Sequence, residues 1–203
     1  MQGLPLNLVL IGEIEDVATA FVRRGYRYAP ASPLFAFGRE QDASAWKRSQ
    51  WVAPQPHTLR IWVTPLRYQG KPVWVGQMST VLGGRFADSD ERTRRAEPAM
   101  DEARNDVVQD MLYSQSLVKL GFVRGMGRVL ASERRETPQG STYHTDGLRA
   151  VMVLANEAVS LAEVDFFDWE RLADDHGQEA RDTGFNRLGL SEKEKVAQRV
   201  LVR

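Results

Sequence analysis

The chain has 203 residues, with 27 Lys and Arg, 27 Asp and Glu, and no cysteine, which is enough for one large domain or for one domain with an appendage. Its balanced charge argues against a nucleic-acid-binding protein and against a polybasic domain at a membrane surface, because both classes carry a basic excess. The lack of cysteine excludes disulfides, zinc–thiolate sites, iron–sulfur clusters and cysteine nucleophiles.

The first predicted element is a buried strand in LNLVLIG, a short apolar run that ends at Gly12. This run lacks the length and the basic flank of a signal peptide, and no stretch approaches the roughly 20 apolar residues of a membrane span. We therefore expect a soluble chain without a transmembrane segment. EIEDVATAFVRRGY then predicts a helix that ends near Gly25, because its apolar residues recur at helical spacing.

The middle of the chain predicts a helix and a hairpin. A weaker helical pattern covers Gly38 to Trp51, and two alternating runs follow it. RYQGK between the two runs is typical of a hairpin turn, since Gly70 supplies a permissive backbone. The aliphatic residues expected to share one face of this hairpin are Leu59, Ile61, Val63, Val73 and Val75.

A second long helix is predicted after Pro98, which suits a first helical position. Two further strands are predicted in LVKLGFVRG and in Leu148 to Ala155. The apolar stripe that defines the helix comprises Met100, Ala103, Val107, Val108, Met111 and Leu112.

The last part of the chain has a different composition, without proline and rich in charge and helix formers. We expect a helix in VDFFDWERLADDHG and another in SEKEKVAQRVLVR, which begins with a Ser191…Glu194 capping box. The sequence thus predicts a domain over residues 1–155 and a helical appendage over 156–203. The fold class is α+β, with an antiparallel or mixed sheet, two main helices on one face, and a ferredoxin-like split βαβ arrangement as one topology.

YHTDG, just before the last strand, is the first candidate for chemistry. His144 beside Asp146 could transfer a proton or help bind a metal. Asp-Gly before a strand is also a common turn signal, and Thr145 and Asp146 can bond nearby amides. We favour the turn and expect no metal site. His57 begins a strand, and it would lie near the same edge as His144 if the two strands share a sheet.

Two charged segments have the same ambiguity. Arg39 could hold a carboxylate or a phosphate, or it could lie at an exposed helix start whose charges pair locally. Asp106 and Asp110 share a helix face, which is suitable for metal or acid/base chemistry, although a solvent-exposed face is the simpler interpretation. No nucleotide-binding, hydrolase or zinc motif is complete, so the sequence names no cofactor and leaves enzymatic activity uncertain.

Trp62 and Trp74 alternate out of phase with the aliphatic residues of the hairpin. They are therefore expected to cover the opposite face of the sheet, against a second layer or a partner. This hairpin is the best indication of a binding surface in the sequence.

Several segments in consistent order resemble the C-terminal domain of the LssY-type proteins, which are described as components linked to type I secretion. They are PLNLVLIGEIEDVATAFVRRGY, FGREQDASAW, HTLRIWV, KPVWVG, MDEARNDVVQDM and YHTDGLRAVMVL. The resemblance covers Leu4 to Ala155. It implies a soluble module of the bacterial envelope, beside membrane-embedded regions, and it brings no established activity.

Three functions remain open from the sequence. The first is a non-enzymatic accessory module that binds a protein partner at the envelope, with Arg39, Asp42, Trp62 and Trp74 as its binding residues. The second is a phosphate-ester hydrolase that uses His144, Asp146 and His57, with Arg39 holding the anion. The third is a structural domain that self-associates through its C-terminal helices.

Overall fold

The computed structural model describes residues 5–28, 33–48, 56–82, 97–98, 100–125, 127–133, 135–136 and 142–167. The chain divides into one compact unit, Met1–Asp165, and a second unit, Phe166–Arg203. In the second unit the described residues are Phe166 and Phe167.

An eight-stranded mixed sheet forms the frame of the fold, in the order β14–β10–β13–β1–β7–β6–β5–β2. β1 is parallel to β13 and antiparallel to β7, so the sheet combines both kinds of pairing. The described strands are β1 (Leu8–Ile11), β2 (Arg27–Tyr28), β3 (Phe35–Ala36), β4 (Arg39–Glu40), β5 (Ala43–Arg48), β6 (Pro56–Tyr68), β7 (Lys71–Ser79), β8 (Val81–Leu82), β9 (Glu97–Pro98), β10 (Leu117–Arg124), β11 (Arg135–Glu136), β12 (Thr142–Tyr143), β13 (Leu148–Leu154) and β14 (Asp165–Phe166).

The helix α1 (Ile14–Arg23) follows β1, as the spacing predicts. Glu15 and Asp16 lie in its first turn, where the helix dipole favours carboxylates. The helix ends at a turn in which Gly25 has a φ of 83°, and the amide of Tyr26 donates to the carbonyl of Phe21 at 3.1 Å. The side chains that it buries are Val17, Ala20 and Phe21.

The helix α2 (Met100–Tyr113) lies beside α1 on the same face of the sheet. Asn7 fixes where it begins. The side-chain amide of Asn7 donates to the carbonyls of Met78 and Met100, both at 2.9 Å, and its Oδ1 accepts from the amide of Met78 at 2.8 Å. One buried side chain thus joins the start of β1, the end of β7 and the first turn of α2. The buried stripe of the helix is Met100, Ala103, Val107, Val108 and Met111.

The core lies between these helices and the sheet. Leu8 pairs with Ala150 on one side and Gly76 on the other, so alternate residues of the three central strands point toward the helices. The apolar side chains that are completely buried on this face include Leu8, Leu10, Met78, Met152 and Leu154.

The helix predicted over Gly38 to Trp51 is wrong in its described part, because Arg39–Glu40 and Ala43–Arg48 are strands. Residues 49–51 lie outside the described residues. Ala43 and Ala45 lie opposite apolar residues of β6 and so follow the alternation of a strand. Alanine is also the strongest helix former, and this preference concealed the strand.

The predictions for the end of the chain fall largely outside the described residues. The helix predicted in VDFFDWERLADDHG is wrong at its start, because Asp165–Phe166 is a strand. The rest of that helix and the capping-box helix lie beyond residue 167. The division into residues 1–155 and 156–203 stays a prediction. The α+β class, with a mixed sheet and two helices on one face, is confirmed, whereas the ferredoxin-like topology stays a prediction.

Candidate functional site

The YHTDG segment is held to α2 by an ion pair whose arginine is buried. Arg104 is 3 % exposed and donates from Nη1 and Nη2 to the two carboxylate oxygens of Asp146, at 2.7 and 2.9 Å. Nη1 also donates to the carbonyl of Leu148 at 3.0 Å. Two parallel bonds between a guanidinium and a carboxylate are strong and geometrically specific. Asp146 therefore fixes the entry to β13.

Asp101, in the first turn of α2, holds the same segment from a second side. Its Oδ1 accepts from the Thr145 hydroxyl at 2.7 Å, and its Oδ2 accepts from the amide of Asp146 at 2.8 Å. Within the segment, the amide of Gly147 donates to the Thr145 hydroxyl at 3.1 Å. These are the contacts of a structural turn. His144 lies in this turn and is half-buried.

His57 lies elsewhere, at the start of β6 and against α2. Its Nε2 is 3.4 Å from Oδ2 of Asp106. Burial lowers the pKa of His57, and the nearby Asp106 carboxylate opposes this effect. Burial likewise raises the pKa of Asp106, against the influence of His57. The surroundings thus favour the neutral form of each group.

The same cluster contains Lys47, Asp110 and Tyr26. Lys47 Nζ donates to both carboxylate oxygens of Asp110, at 2.7 and 2.6 Å, and lies 5.3 Å from the centre of the Tyr26 ring. Burial and, next, the Asp110 carboxylate raise the pKa of the Tyr26 hydroxyl. The interpretation of Asp110 as part of a solvent-exposed face is wrong, because Asp110 is buried and paired.

The residues proposed for a hydrolase do not converge. His57 and the YHTDG turn lie at the same end of one sheet, as the sequence suggested, but β13 and β6 are separated by β1 and β7. Three inter-strand steps correspond to about 14 Å. Arg39 pairs with Asp42 next to the middle of β6, several residues along that strand from His57. The structure thus divides the four groups among three places.

The expectation that Trp62 and Trp74 cover the same face of the sheet is wrong. Trp62 is completely buried and Trp74 is 9 % exposed. The register pairs Trp62 with Val75 and Val63 with Trp74, which puts the two indoles on opposite faces of the sheet. Each indole N–H has an internal partner. Trp62 donates to the carbonyl of Arg39 at 3.3 Å, and Trp74 donates to the carbonyl of Gly12 at 3.0 Å.

An apolar groove, here called the α1 groove, opens between α1 and the strands β2, β5 and β6. It has a volume of about 100 Å³, and its floor includes the small side chains of Ala43 and Ala45. Ile14, Ala18 and Val22 line it from α1 and are exposed to solvent. These three residues are spaced i, i+4 and i+8, so they form one stripe along the helix. The sheet therefore leaves part of the apolar face of α1 uncovered.

Sequence reasoning missed the residues that hold the two clusters together. Arg104 is expected on the solvent-exposed face with its charged neighbours, although it lies four residues after Met100 and four before Val108, within the buried stripe of α2. That spacing was a usable signal for a buried arginine. Lys47 gave no comparable signal, because its segment was predicted to be a helix.

Among the described residues, no three His, Asp or Glu side chains gather closely enough to hold a metal ion. Neither described helix has the length and apolar character that crossing a bilayer requires.

Comparison with known proteins gives one family. The model of the family described as LssY C-terminus matches residues 15–148. No curated protein and no solved structure has significant similarity to the chain.

Proposed function

Since this chain belongs to the LssY C-terminus family, whose name indicates no reaction, we propose from the geometry that it is a non-enzymatic domain. It binds a partner polypeptide in the α1 groove. The observation that carries this proposal is the exposed stripe of Ile14, Ala18 and Val22 beside an apolar floor. Contiguous exposed apolar surface of this kind is typical of an interaction site.

The charged residues support a binding role because they are already paired with one another. Asp146 is paired with Arg104, Asp110 with Lys47, and Arg39 with Asp42. A catalytic pair needs groups that meet around a space where a substrate can react. These carboxylates and cations are instead paired with one another in separate structural contacts.

The shape of the groove favours a polypeptide segment with a row of apolar side chains. The stripe from Ile14 to Val22 spans two helical turns, about 12 Å. This length suits an amphipathic helix that places its own i and i+4 residues between α1 and β5. Glu13 and Glu15 are exposed on either side of Ile14, at the start of α1. A bound segment with a basic end would match these charges.

The partner is proposed to belong to a bacterial envelope system linked to secretion. The family likeness supports this placement. A domain that stands beside membrane-embedded regions, and that has an open groove for a peptide, would act by holding a component of the system in place.

Site-specific crosslinking tests the proposal. A photoreactive phenylalanine analogue at Val22 is expected to crosslink to a polypeptide in a membrane fraction, where the same group at Tyr113 does not. Ala18→Glu should abolish the adduct, because it puts a charge into the apolar groove. The matched control is Thr19→Glu, which adds the same charge outside the lining of the groove.

Two outcomes would contradict the proposal. One is an adduct that persists in Ala18→Glu, and the other is a Val22 adduct that forms only with a second copy of this chain. The second result would support the self-association alternative. Circular dichroism of both glutamate variants would establish that a lost adduct does not reflect unfolding.

A further inference from the structure

A small hairpin next to the sheet exposes two phenylalanines. It comprises Pro33–Asp42, with β3 and β4 as its strands, and is called the Phe hairpin here. Phe35 is 67 % exposed and Phe37 is 71 % exposed. Large aromatic side chains normally contribute by being buried. The described fold gives these two little of that burial.

The backbone conformation at Phe37 is one that a phenylalanine rarely adopts. Phe37 has a φ of 55° and Gly38 a φ of 75°, so both central residues of the turn are left-handed. Such a turn strongly prefers Asn-Gly or Asp-Gly, and a bulky residue there is unfavourable. The turn between Gln69 and Gly70, with φ values of 49° and 80°, has the same geometry without an aromatic residue. An exposed phenylalanine with an unfavourable backbone conformation is best explained by binding to another molecule.

The hairpin is held firmly behind its tip. The indole of Trp62 donates to the carbonyl of Arg39, and the carboxylate of Asp42 accepts from the amide of Val63 at 2.6 Å. Within the hairpin, the amide of Gln41 donates to the carbonyl of Leu34 at 3.1 Å. The cross-strand pairs Phe35–Glu40 and Ala36–Arg39 complete the ladder. The phenylalanines are thus displayed on a backbone whose hydrogen bonds are largely made internally.

The chemistry of the tip favours a lipid surface over a protein surface. From Pro33 to Gly38 the sequence PLFAFG contains no polar or charged side chain. A protein contact would normally combine aromatic residues with hydrogen-bonding groups, whereas hydrocarbon offers no partner for such groups. Arg39 follows the tip directly, next to Glu40, and is paired with Asp42. Residues 56–82, which include the neighbouring hairpin, contain Arg60, Arg67 and Lys71 and no acidic residue.

We propose that the Phe hairpin inserts Phe35 and Phe37 into the interface of an anionic lipid bilayer, with the basic side chains of the neighbouring hairpin toward the headgroups. Apolar side chains that enter the interface next to cationic side chains are the usual means of peripheral membrane binding. The surface is separate from the α1 groove, so this inference goes beyond the proposed function and does not depend on it.

Vesicle flotation with the full chain tests the proposal. The chain is expected to float with vesicles of phosphatidylcholine and phosphatidylserine, and less with phosphatidylcholine alone. Phe35→Ala and Phe37→Asn should each weaken binding by about tenfold, since each removes most of the transfer free energy of one phenylalanine. Ala18→Glu in the α1 groove should leave flotation unchanged, which separates this surface from the groove.

Phe37→Asn also distinguishes lost binding from lost folding. It creates the preferred Asn-Gly turn, so it should raise the melting temperature while it weakens binding. The matched control is Gln69→Asn, which makes the same change in the other turn and should leave binding unchanged. Because the chain has no cysteine, Ala36→Cys can carry a single environment-sensitive dye, whose emission should shift to the blue with vesicles.

Three results would overturn the proposal. They are no flotation of the unmodified chain, flotation unaffected by Phe37→Asn, or a dye at residue 36 that does not respond to vesicles that are bound. If the chain does not float but the hairpin phenylalanines are needed to capture a protein, the hairpin is a protein contact and the lipid assignment is wrong.

Discussion

Removing the carboxylate of Asp146 is expected to destabilise the fold strongly, although this residue lies in a turn. Asp146→Ala would remove the carboxylate that accepts two hydrogen bonds from the buried guanidinium of Arg104. Breaking a buried ion pair from one side costs about 3–5 kcal/mol. The Asp146 side chain is 36 % exposed, and Asp101 remains 3.5 Å from Arg104 Nη1. We therefore expect a loss near the lower end, about 3 kcal/mol.

Urea unfolding, followed by circular dichroism, measures this loss. Lys119→Ala is the control, because it breaks a more exposed pair with Asp165 at 3.0 Å, and such pairs contribute about 0–1 kcal/mol. The double variant Arg104→Met with Asp146→Ala should lose less than the sum of the single variants, because it leaves no unpaired buried charge. An Asp146→Ala loss no larger than the control would refute the structural role of YHTDG and reopen its catalytic interpretation.

Other predictions concern single sites. The free energy of unfolding should fall as the pH drops below about 6.5, because the lowered pKa of His57 in the folded state makes the unfolded chain take up the proton first. His57→Gln should flatten that part of a pH series of urea unfolding. Gly147→Ala should cost more than about 3 kcal/mol in the same assay, since a Cβ there would lie 2.4 Å from the backbone carbon of Gly127. Gly127→Ala, with a φ of 94° and open space around it, should cost only about 1–2 kcal/mol, and equal losses would contradict the steric argument. Gln69→Asn should stabilise the fold by about 0.5 kcal/mol, seen as a higher melting temperature.

The elements that were predicted correctly are those for which the local sequence contains one strong signal. β1, α1, the hairpin of β6 and β7, α2 and β13 all have a clear period and a clear turn or end signal. β5 was missed because alanine is the strongest helix former, so Ala43 and Ala45 suggested a helix. The place of β1 between β13 and β7 depends on pairing between distant segments, which no local period specifies.

The tryptophan error could have been avoided from the sequence. A two-residue turn at Gln69–Gly70 pairs Tyr68 with Lys71. Counting back from that pair, an even-numbered residue of β6 lies opposite an odd-numbered residue of β7. Trp62 and Trp74 must then occupy opposite faces, since successive residues of a strand alternate. The irregularity between Val63 and Arg67 shifts the pairs by two and leaves this conclusion unchanged.

In this fold, charged residues that suggested chemistry make structural contacts, and apolar residues that would normally be buried are exposed. Asp101, Arg104, Asp106 and Asp110 all belong to α2, and together they contact the YHTDG turn at one end and His57 and Lys47 at the other. Polar contacts of this kind specify how a helix lies on a sheet, because a shifted helix would leave buried charges unpaired. Asp110 and Asp146, two of the carboxylates that suggested catalysis, are thereby held in structural contacts. Two exposed apolar surfaces have no such structural role. They are the uncovered stripe of α1 and the phenylalanines of the Phe hairpin, and a function should therefore be sought there.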